Sequence, residues 1–172
     1  MEFDLRRATP ADVDAIMAIE TATFENDAWS PDSMLSELES GNTFYLVAFD
    51  PAHPKTLLGY AGLLAPDSGE EADVQTIAVV PSARRQGLGR EFMVRMIAEA
   101  VSRRATEIFL EVRADNPNAR ALYDSLGFDQ IAVRKHYYQP DNVDAQVMRL
   151  VVDWGVPEAL EGPEDGEGSD DG

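Results

Sequence analysis

The chain has 172 residues, a hydrophobic fraction of 44% and a net charge of −18, from 32 acidic and 14 basic residues. Its length and composition predict one folded domain with a hydrophobic core, and such an acidic chain is a poor binder of bare nucleic acid. It has no cysteine and two histidines, no apolar run near the roughly 20 residues of a membrane span and no signal peptide, so we expect a cytoplasmic protein without disulfides, thiol chemistry or a metal.

The periodicity of apolar residues predicts a mixed succession of strands and helices. A short strand at residues 3–8 precedes two helices, which begin at the capping residues Thr9 and Ser30, each followed by proline. The remaining elements are strands at 43–49, 56–64 and 72–80, a helix at 88–101, a strand at 107–113, a helix at 116–128, and strands at 129–138 and 144–154 that form a hairpin.

The last 18 residues differ in composition from the rest of the chain. Residues 155–172 hold seven acids and no base, and they show no apolar periodicity. Glycine, proline and acids in this pattern predict a disordered tail behind a folded domain of residues 1–154. Solubility is the favoured role of the tail, and binding of a specific partner is the alternative.

The stretch RRQGLGREFM, residues 84–93, places arginines and glycines between a predicted strand and a predicted helix. The free N–H groups of a helix N-terminus attract anions, glycines let a large anion approach closely, and arginines add charge-assisted hydrogen bonds. This pattern indicates a phosphate or pyrophosphate site. It lacks the Gly-Lys-Ser/Thr end of a Walker loop and the third glycine of G-x-G-x-x-G, so a plain glycine turn with solvated arginines is the alternative.

A second group of candidate residues lies in the predicted strand at 107–113 and in the helix that follows it. Alternation places Glu111 on the face opposite Leu110 and Val112. A glutamate in an apolar strand is costly to bury unless it is paired or protonated, so Glu111 is a candidate for a raised pKa and for general-base chemistry. The alternative is an edge strand with Glu111 paired to an arginine. Tyr123, in the next helix, has the spacing of a core tyrosine, and proton donation is its functional alternative.

These segments resemble a known enzyme family. TIAVVPSARRQGLGREFM resembles the acetyl-CoA motif of the GNAT N-acetyltransferases, Arg/Gln-x-x-Gly-x-Gly/Ala, and LEVRADNPNARALYDSLGF, RKHYYQP and DAQVMRL resemble its RimI branch. The resembling segments cover most of residues 3–150. The resemblance implies an α/β fold of mixed α+β type, the acyl-CoA N-acyltransferase fold, in which a central, mostly antiparallel, twisted sheet is flanked by about four helices.

The resemblance also implies roles for single residues. Glu111 matches the family's general base and Tyr123 its general acid. The implied acetyl-CoA contacts are Ile77, Ala78, Val79, Arg84, Arg85, Gln86, Gly87, Leu88, Gly89, Arg90 and Asn116. The implied substrate-side residues are Trp29, Glu71, Tyr137 and Tyr138; Glu71 is also a rival to Glu111 as base, and ENDAWS around Trp29 replaces the common Pro-Trp-Ser.

RimI enzymes acetylate the N-terminal alanine of the eighteenth protein of the small ribosomal subunit. The resemblance therefore implies an acetyl-CoA-dependent peptide α-N-acetyltransferase, acting as a monomer on a basic ribosomal-protein N-terminus, without direct nucleic-acid or membrane partners. Two alternatives remain: a broader acetyltransferase for other N-termini, protein lysines or small amines, and a module that binds acyl-CoA without turnover.

Overall fold

The computed structural model describes residues 2–67 and 69–152, and the predicted acidic tail lies outside them. Within these residues seven strands and four α-helices follow each other in the predicted order. The strands are β1 Asp4–Arg7, β2 Thr43–Asp50, β3 His53–Leu64, β4 Glu71–Val79, β5 Glu107–Arg113, β6 Asp129–Tyr138 and β7 Val143–Val151. The helices are α1 Val13–Phe24, α2 Pro31–Glu39, α3 Leu88–Ser102 and α4 Pro117–Ser125.

The seven strands form one sheet in the order β1-β2-β3-β4-β5-β7-β6. Every neighbouring pair is antiparallel except β4 and β5, which are parallel and sit at the centre. β6 and β7 form the expected hairpin. The predicted mostly antiparallel sheet with flanking helices is therefore confirmed.

Local sequence signals explain where the helices begin and end. The Ser30 hydroxyl and the Asn116 side-chain oxygen each accept the backbone N–H three residues later, at 3.1 and 3.2 Å, and so cap α2 and α4. Gly127, with φ 98°, ends α4. The first helix differs from the prediction, because Pro10–Asp12 form a 3-10 turn and regular α-helix starts only at Val13.

Helices pack on both faces of the sheet and bury two clusters of side chains. On β2, Leu46 and Ala48 belong to the cluster under α3 and α4, whereas Tyr45 and Val47 belong to the cluster under α1 and α2. This alternation is the period of two expected for a strand buried on both faces. Among the described residues, no helix is both long and apolar enough to cross a membrane.

Candidate active site

The two central strands separate partway along their length and leave an opening in the sheet. The ladder between β4 and β5 runs from Glu71 and Glu107 to Asp73 and Phe109, and β5 then continues against β7 alone. The rest of β4 bonds to β3 on its other side. The opening therefore exposes a strand edge, with main-chain groups available to a ligand.

The register of β4 shows which main-chain groups face this opening. The N–H of Val80 donates to the carbonyl of Leu58 on β3 at 2.9 Å, so alternation turns the N–H and C=O groups of Ala78 toward β3 and those of Ile77 and Val79 away from it. Arg84 confirms this direction, because its Nε donates to the Val79 carbonyl at 3.0 Å. Of the three predicted contacts on β4, Ile77 and Val79 thus offer their main chain to the opening.

A bulge in β4 decides which side chains look toward α1 and α2. Thr76 pairs with Gly62 and Val74 with Leu63, so Gln75 is an extra residue opposite neither. Val74 and Ile77, three positions apart, consequently pack against the same core cluster on the α3 side. Gln75 accepts a hydrogen bond of 2.8 Å from the hydroxyl of Tyr45, a buried residue of the cluster on the α1 side.

The opening widens into a cleft of about 1200 Å³. Eight predicted site residues line it: Trp29, Glu71, Ile77, Glu111, Asn116, Tyr123, Tyr137 and Tyr138. The lining carries seven acidic side chains, Glu20, Glu25, Asp27, Glu71, Asp73, Glu111 and Asp141, against two arginines, Arg113 and Arg134. A smaller cavity of about 230 Å³ beside Arg6 and Asp12 holds none of the predicted site residues. The large cleft is therefore the candidate site, and its charge suits a cation.

The predicted anion-binding turn lies at the start of α3, and none of residues 84–90 is part of the cleft lining. Arg85 and Gly87 adopt left-handed backbone conformations, with φ 64° and 84°, and Arg90 donates to the Ser125 hydroxyl of α4 at 2.6 Å. Arg84, Arg85, Gln86 and Gly87 are exposed. Leu88 is buried in the core, so only its main chain is open to a ligand. The turn presents exposed arginines and free N–H groups together, as an anion site requires.

Glu111 has neighbours from β4 and β6. Its Oε2 lies 2.9 Å from Nε of Arg134, and Tyr137 hydrogen-bonds to the same carboxyl. The expected alternative is thus half right, because an arginine does pair with Glu111, but β5 lies between β4 and β7 and is not an edge strand. The Glu111 side chain keeps 29% exposure at the cleft, so an incoming group can reach it.

Three tyrosines line the same cleft as this carboxylate. Tyr123 is 5% exposed with its ring centroid 6.2 Å from that of Phe128, and burial raises its pKa to about 12. Burial, and secondarily the charge of Glu111, raises the pKa of Tyr138 to about 12. The rings of Tyr137 and Tyr138 meet edge to face at 5.1 Å. All three phenols therefore remain protonated near neutral pH and can donate hydrogen bonds.

Sequence reasoning predicted two of the seven cleft carboxyls, Glu71 and Glu111, and two of the five that it missed have a raised pKa. Glu20 on α1 is buried; its Oε2 accepts the N–H of Trp29 at 2.9 Å, and its Oε1 has no hydrogen-bond partner among the described residues. Burial raises the pKa of Glu20. Burial, with the charges of Glu71 and Glu111, raises the pKa of Asp73. The available signal for Glu20 was a charge four residues after Ile16 on the apolar face of a helix.

The described residues contain no group of three or more histidine, aspartate or glutamate side chains placed to hold a metal ion. The arrangement consists instead of a carboxylate, neutral phenols and free main-chain N–H groups around one cleft. These groups can accept one proton, donate another and hydrogen-bond a carbonyl oxygen. That combination fits acyl transfer to an amine.

Comparison with known proteins gives the same family as the sequence motifs. Residues 13–128 match the profile of the acetyltransferase (GNAT) family. The chain is 35% identical over 144 residues to N-alpha-acetyltransferase RimI of Mycobacterium tuberculosis, and the match covers 82% of this chain and 87% of that protein. For two other curated relatives, the match spans 38% and 57% of their length.

Solved structures share the fold. The ribosomal-protein-S18-alanine N-acetyltransferase of Escherichia coli superposes with a TM-score of 0.76 at 28% identity, over 91% of this chain and 99% of that one. NAA60 of Arabidopsis thaliana, in complex with acetyl-CoA, superposes with a TM-score of 0.78 at 16% identity, over 88% and 99%. The predicted resemblance to the RimI branch is confirmed.

Proposed function

The chain belongs to the acetyltransferase (GNAT) family, and from that premise we propose that it transfers the acetyl group of acetyl-CoA to the α-amino group of a protein N-terminus. The proposed acceptor is the N-terminal alanine of the eighteenth small-subunit ribosomal protein, as the name of the Escherichia coli relative suggests. The cleft between β4 and β5, which brings Glu111 and Tyr123 to one opening, is the observation that carries the proposal.

The donor end of the site fits acetyl-CoA. The exposed arginines of the turn at 84–90 and the free N–H groups at the start of α3 would hold the pyrophosphate. The free edge of β4, at Ile77 and Val79, would bond the extended arm along the opening, and Asn116 lines the same cleft. Acetyl-CoA, when bound, supplies an activated acyl group on sulfur.

The acceptor end fits a cationic amine. Glu71, Asp73 and Glu111 face it from β4 and β5, and Trp29, Tyr137 and Tyr138 line the same cleft. An amine at a protein N-terminus is mostly protonated at neutral pH, so these carboxylates would attract and orient it. A basic ribosomal protein is the kind of acceptor that this charge favours, and it would meet the enzyme in the cytoplasm.

Each proton then has a place to go. Glu111 takes one proton from the ammonium and passes it to solvent, and it takes the second proton from nitrogen as the amine attacks the acetyl carbonyl, directly or through a water. One main-chain N–H of the free β4 edge, that of Ile77 or Val79, donates a hydrogen bond to the carbonyl oxygen as negative charge develops there. Tyr123, neutral at this pH, donates its proton to the departing sulfur and is later reprotonated from solvent. The chain needs no nucleophile of its own in this scheme.

The α-amine is an easier acceptor than lysine for such a base. With reference pKa values of about 7.7–8.0 and about 10.4, roughly a tenth to a fifth of α-amines but about 0.04% of lysines are neutral at pH 7. A single carboxylate, partly exposed, therefore suffices for an N-terminus. A lysine would require stronger activation at the same site.

Paired peptides test the proposal. Both begin with alanine and carry an internal lysine and several basic residues, and one has its N-terminus blocked. We expect CoA release and a mass gain of one acetyl group only with the free N-terminus. Acetylation of lysine in both peptides would favour the broader acetyltransferase, and CoA binding without turnover would favour the acyl-CoA-binding module.

A further inference from the structure

The proposed base already has a cation as its partner. The guanidinium of Arg134 lies 2.9 Å from Glu111 and over the ring of Tyr137, 5.3 Å from the centroid. A guanidinium carries a positive charge, so it competes with any other cation for those oxygens. An acceptor ammonium that approaches Glu111 therefore meets an occupied position.

Arg134 is held loosely enough to leave. Its side chain is 58% exposed, and exposed ion pairs contribute little net free energy because water solvates the separated charges well. Arg103, by comparison, is 10% exposed and is fixed by Glu99 and by the carbonyls of Ala65 and Thr43. Arg134 is therefore a side chain that a ligand can displace, whereas Arg103 is a structural one.

The charges around Glu111 favour exchange of one cation for another. The Asp73 carboxyl on β4 lies close enough to Glu71 and Glu111 to interact with both of their charges. Tyr137 and Tyr138 approach Glu111 from β6. Removing Arg134 without a replacement would leave these carboxylates uncompensated. An arriving ammonium restores the balance, since it carries the same charge.

We propose that Arg134 occupies the ammonium subsite of the free protein and that the acceptor's N-terminal ammonium displaces it from Glu111. Arg134 thus sets the affinity for the acceptor and favours amines that are still protonated when they arrive. This inference rests on the proposed function. It identifies a specificity-determining residue that neither reacts nor contacts acetyl-CoA.

Calorimetric binding of peptide to the protein with CoA present tests the exchange without turnover. The peptides are an alanine-first peptide with a free N-terminus and the same peptide N-acetylated. For Arg134→Ala we expect about two- to fivefold tighter binding of the free peptide, the range that a partly exposed ion pair provides, and no change for the blocked one. Arg134→Lys should restore the wild-type affinity because it keeps the charge.

A matched control comes from a second arginine, on β7, that pairs with the other glutamate of β5. Arg149 pairs with Glu107 on β5 at 3.2 Å with similar exposure, but both lie outside the cleft lining. Arg149→Ala should leave both affinities unchanged. Equal or weaker binding of the free peptide by Arg134→Ala, or equal gains for both peptides, would overturn the inference. Absence of acetyl transfer by the wild-type protein would refute the proposed function separately, since binding is measured without it.

Discussion

Replacing Glu111 by glutamine separates the role of Glu111 as a proton acceptor from its contribution to the stability of the fold. The side chain keeps its size and can still accept a hydrogen bond from Arg134, but it can no longer take a proton. General-base catalysis contributes about 10²- to 10⁴-fold in rate, so we expect kcat to fall by that factor. The ion pair that is lost joins side chains 29% and 58% exposed, so the unfolding free energy should fall by no more than about 1 kcal/mol.

The assay is CoA release from a free alanine-first peptide, measured as a function of pH, together with thermal unfolding. Glu107→Gln is the control, because Glu107 lies on the same face of β5 and loses an equivalent pair with Arg149 away from the cleft. The control should keep the wild-type kcat. An unchanged kcat and pH profile for Glu111→Gln would refute the assignment and direct attention to Glu71.

Three further substitutions address other parts of the site. Tyr123→Phe should lower kcat about tenfold or more. Burial raises the pKa of Tyr123 from 10.0 to about 12, so between these pH values the folded state keeps a proton that the unfolded chain loses, and the stability of the wild-type protein should fall as the pH rises. The stability of the variant should fall less steeply over this range, and identical slopes would contradict this. Gly87 has a φ of 84° and open space around an added carbon, so Gly87→Ala should lower the free energy of unfolding by about 1–2 kcal/mol and raise KM for acetyl-CoA. Gly41→Ala is the control, because Gly41 has no positive φ, and it should leave the stability unchanged. Equal unfolding temperatures for the two variants would contradict backbone strain at position 87. Glu20→Gln keeps the oxygen that accepts the N–H of Trp29 and removes a charge that burial makes unfavourable above the ordinary carboxyl pKa of 4.5. The unfolding temperature of the variant at pH 7.5 should therefore exceed that of the wild-type protein. A lower unfolding temperature would show that the charge is needed.

Local signals predicted most of the fold because they act within a few residues. Ser30 and Asn116 cap their helices by bonds to the N–H three positions on, and the alternation around Glu111 gave its side of β5 correctly. The parallel pairing of β4 with β5 and the opening beyond Asp73 depend on residues far apart in sequence. The resemblance to a family implied a mostly antiparallel sheet but predicted neither of these two features.

The features that could not be predicted from the sequence either join residues far apart in the chain or interrupt the alternation of a strand. The bulge at Gln75 interrupts the alternation of β4, so no period-two pattern predicts which side chains share a face with Glu71 and Asp73. The apolar face of α1 indicates that Glu20 is buried, but no sequence spacing predicts that its carboxyl accepts the N–H of Trp29, nine positions on. Arg134 reaches Glu111 across β7, a contact that no sequence spacing reveals.

The negative charge of the cleft and of the chain should affect the binding of the two substrates in opposite directions. Its seven acidic and two basic lining residues attract a basic peptide, whereas the −18 chain as a whole repels the polyanionic acetyl-CoA except at its arginine turn. Raising the ionic strength from about 0.01 to about 1 M shortens the Debye length from about 30 to about 3 Å and screens both effects. KM for a basic alanine-first peptide should therefore rise with salt while KM for acetyl-CoA falls or holds, and a neutral alanine-first peptide should show a smaller rise. Parallel changes in both constants would mean that salt acts on the protein's stability rather than on recognition, and that the acidic lining does not select the acceptor.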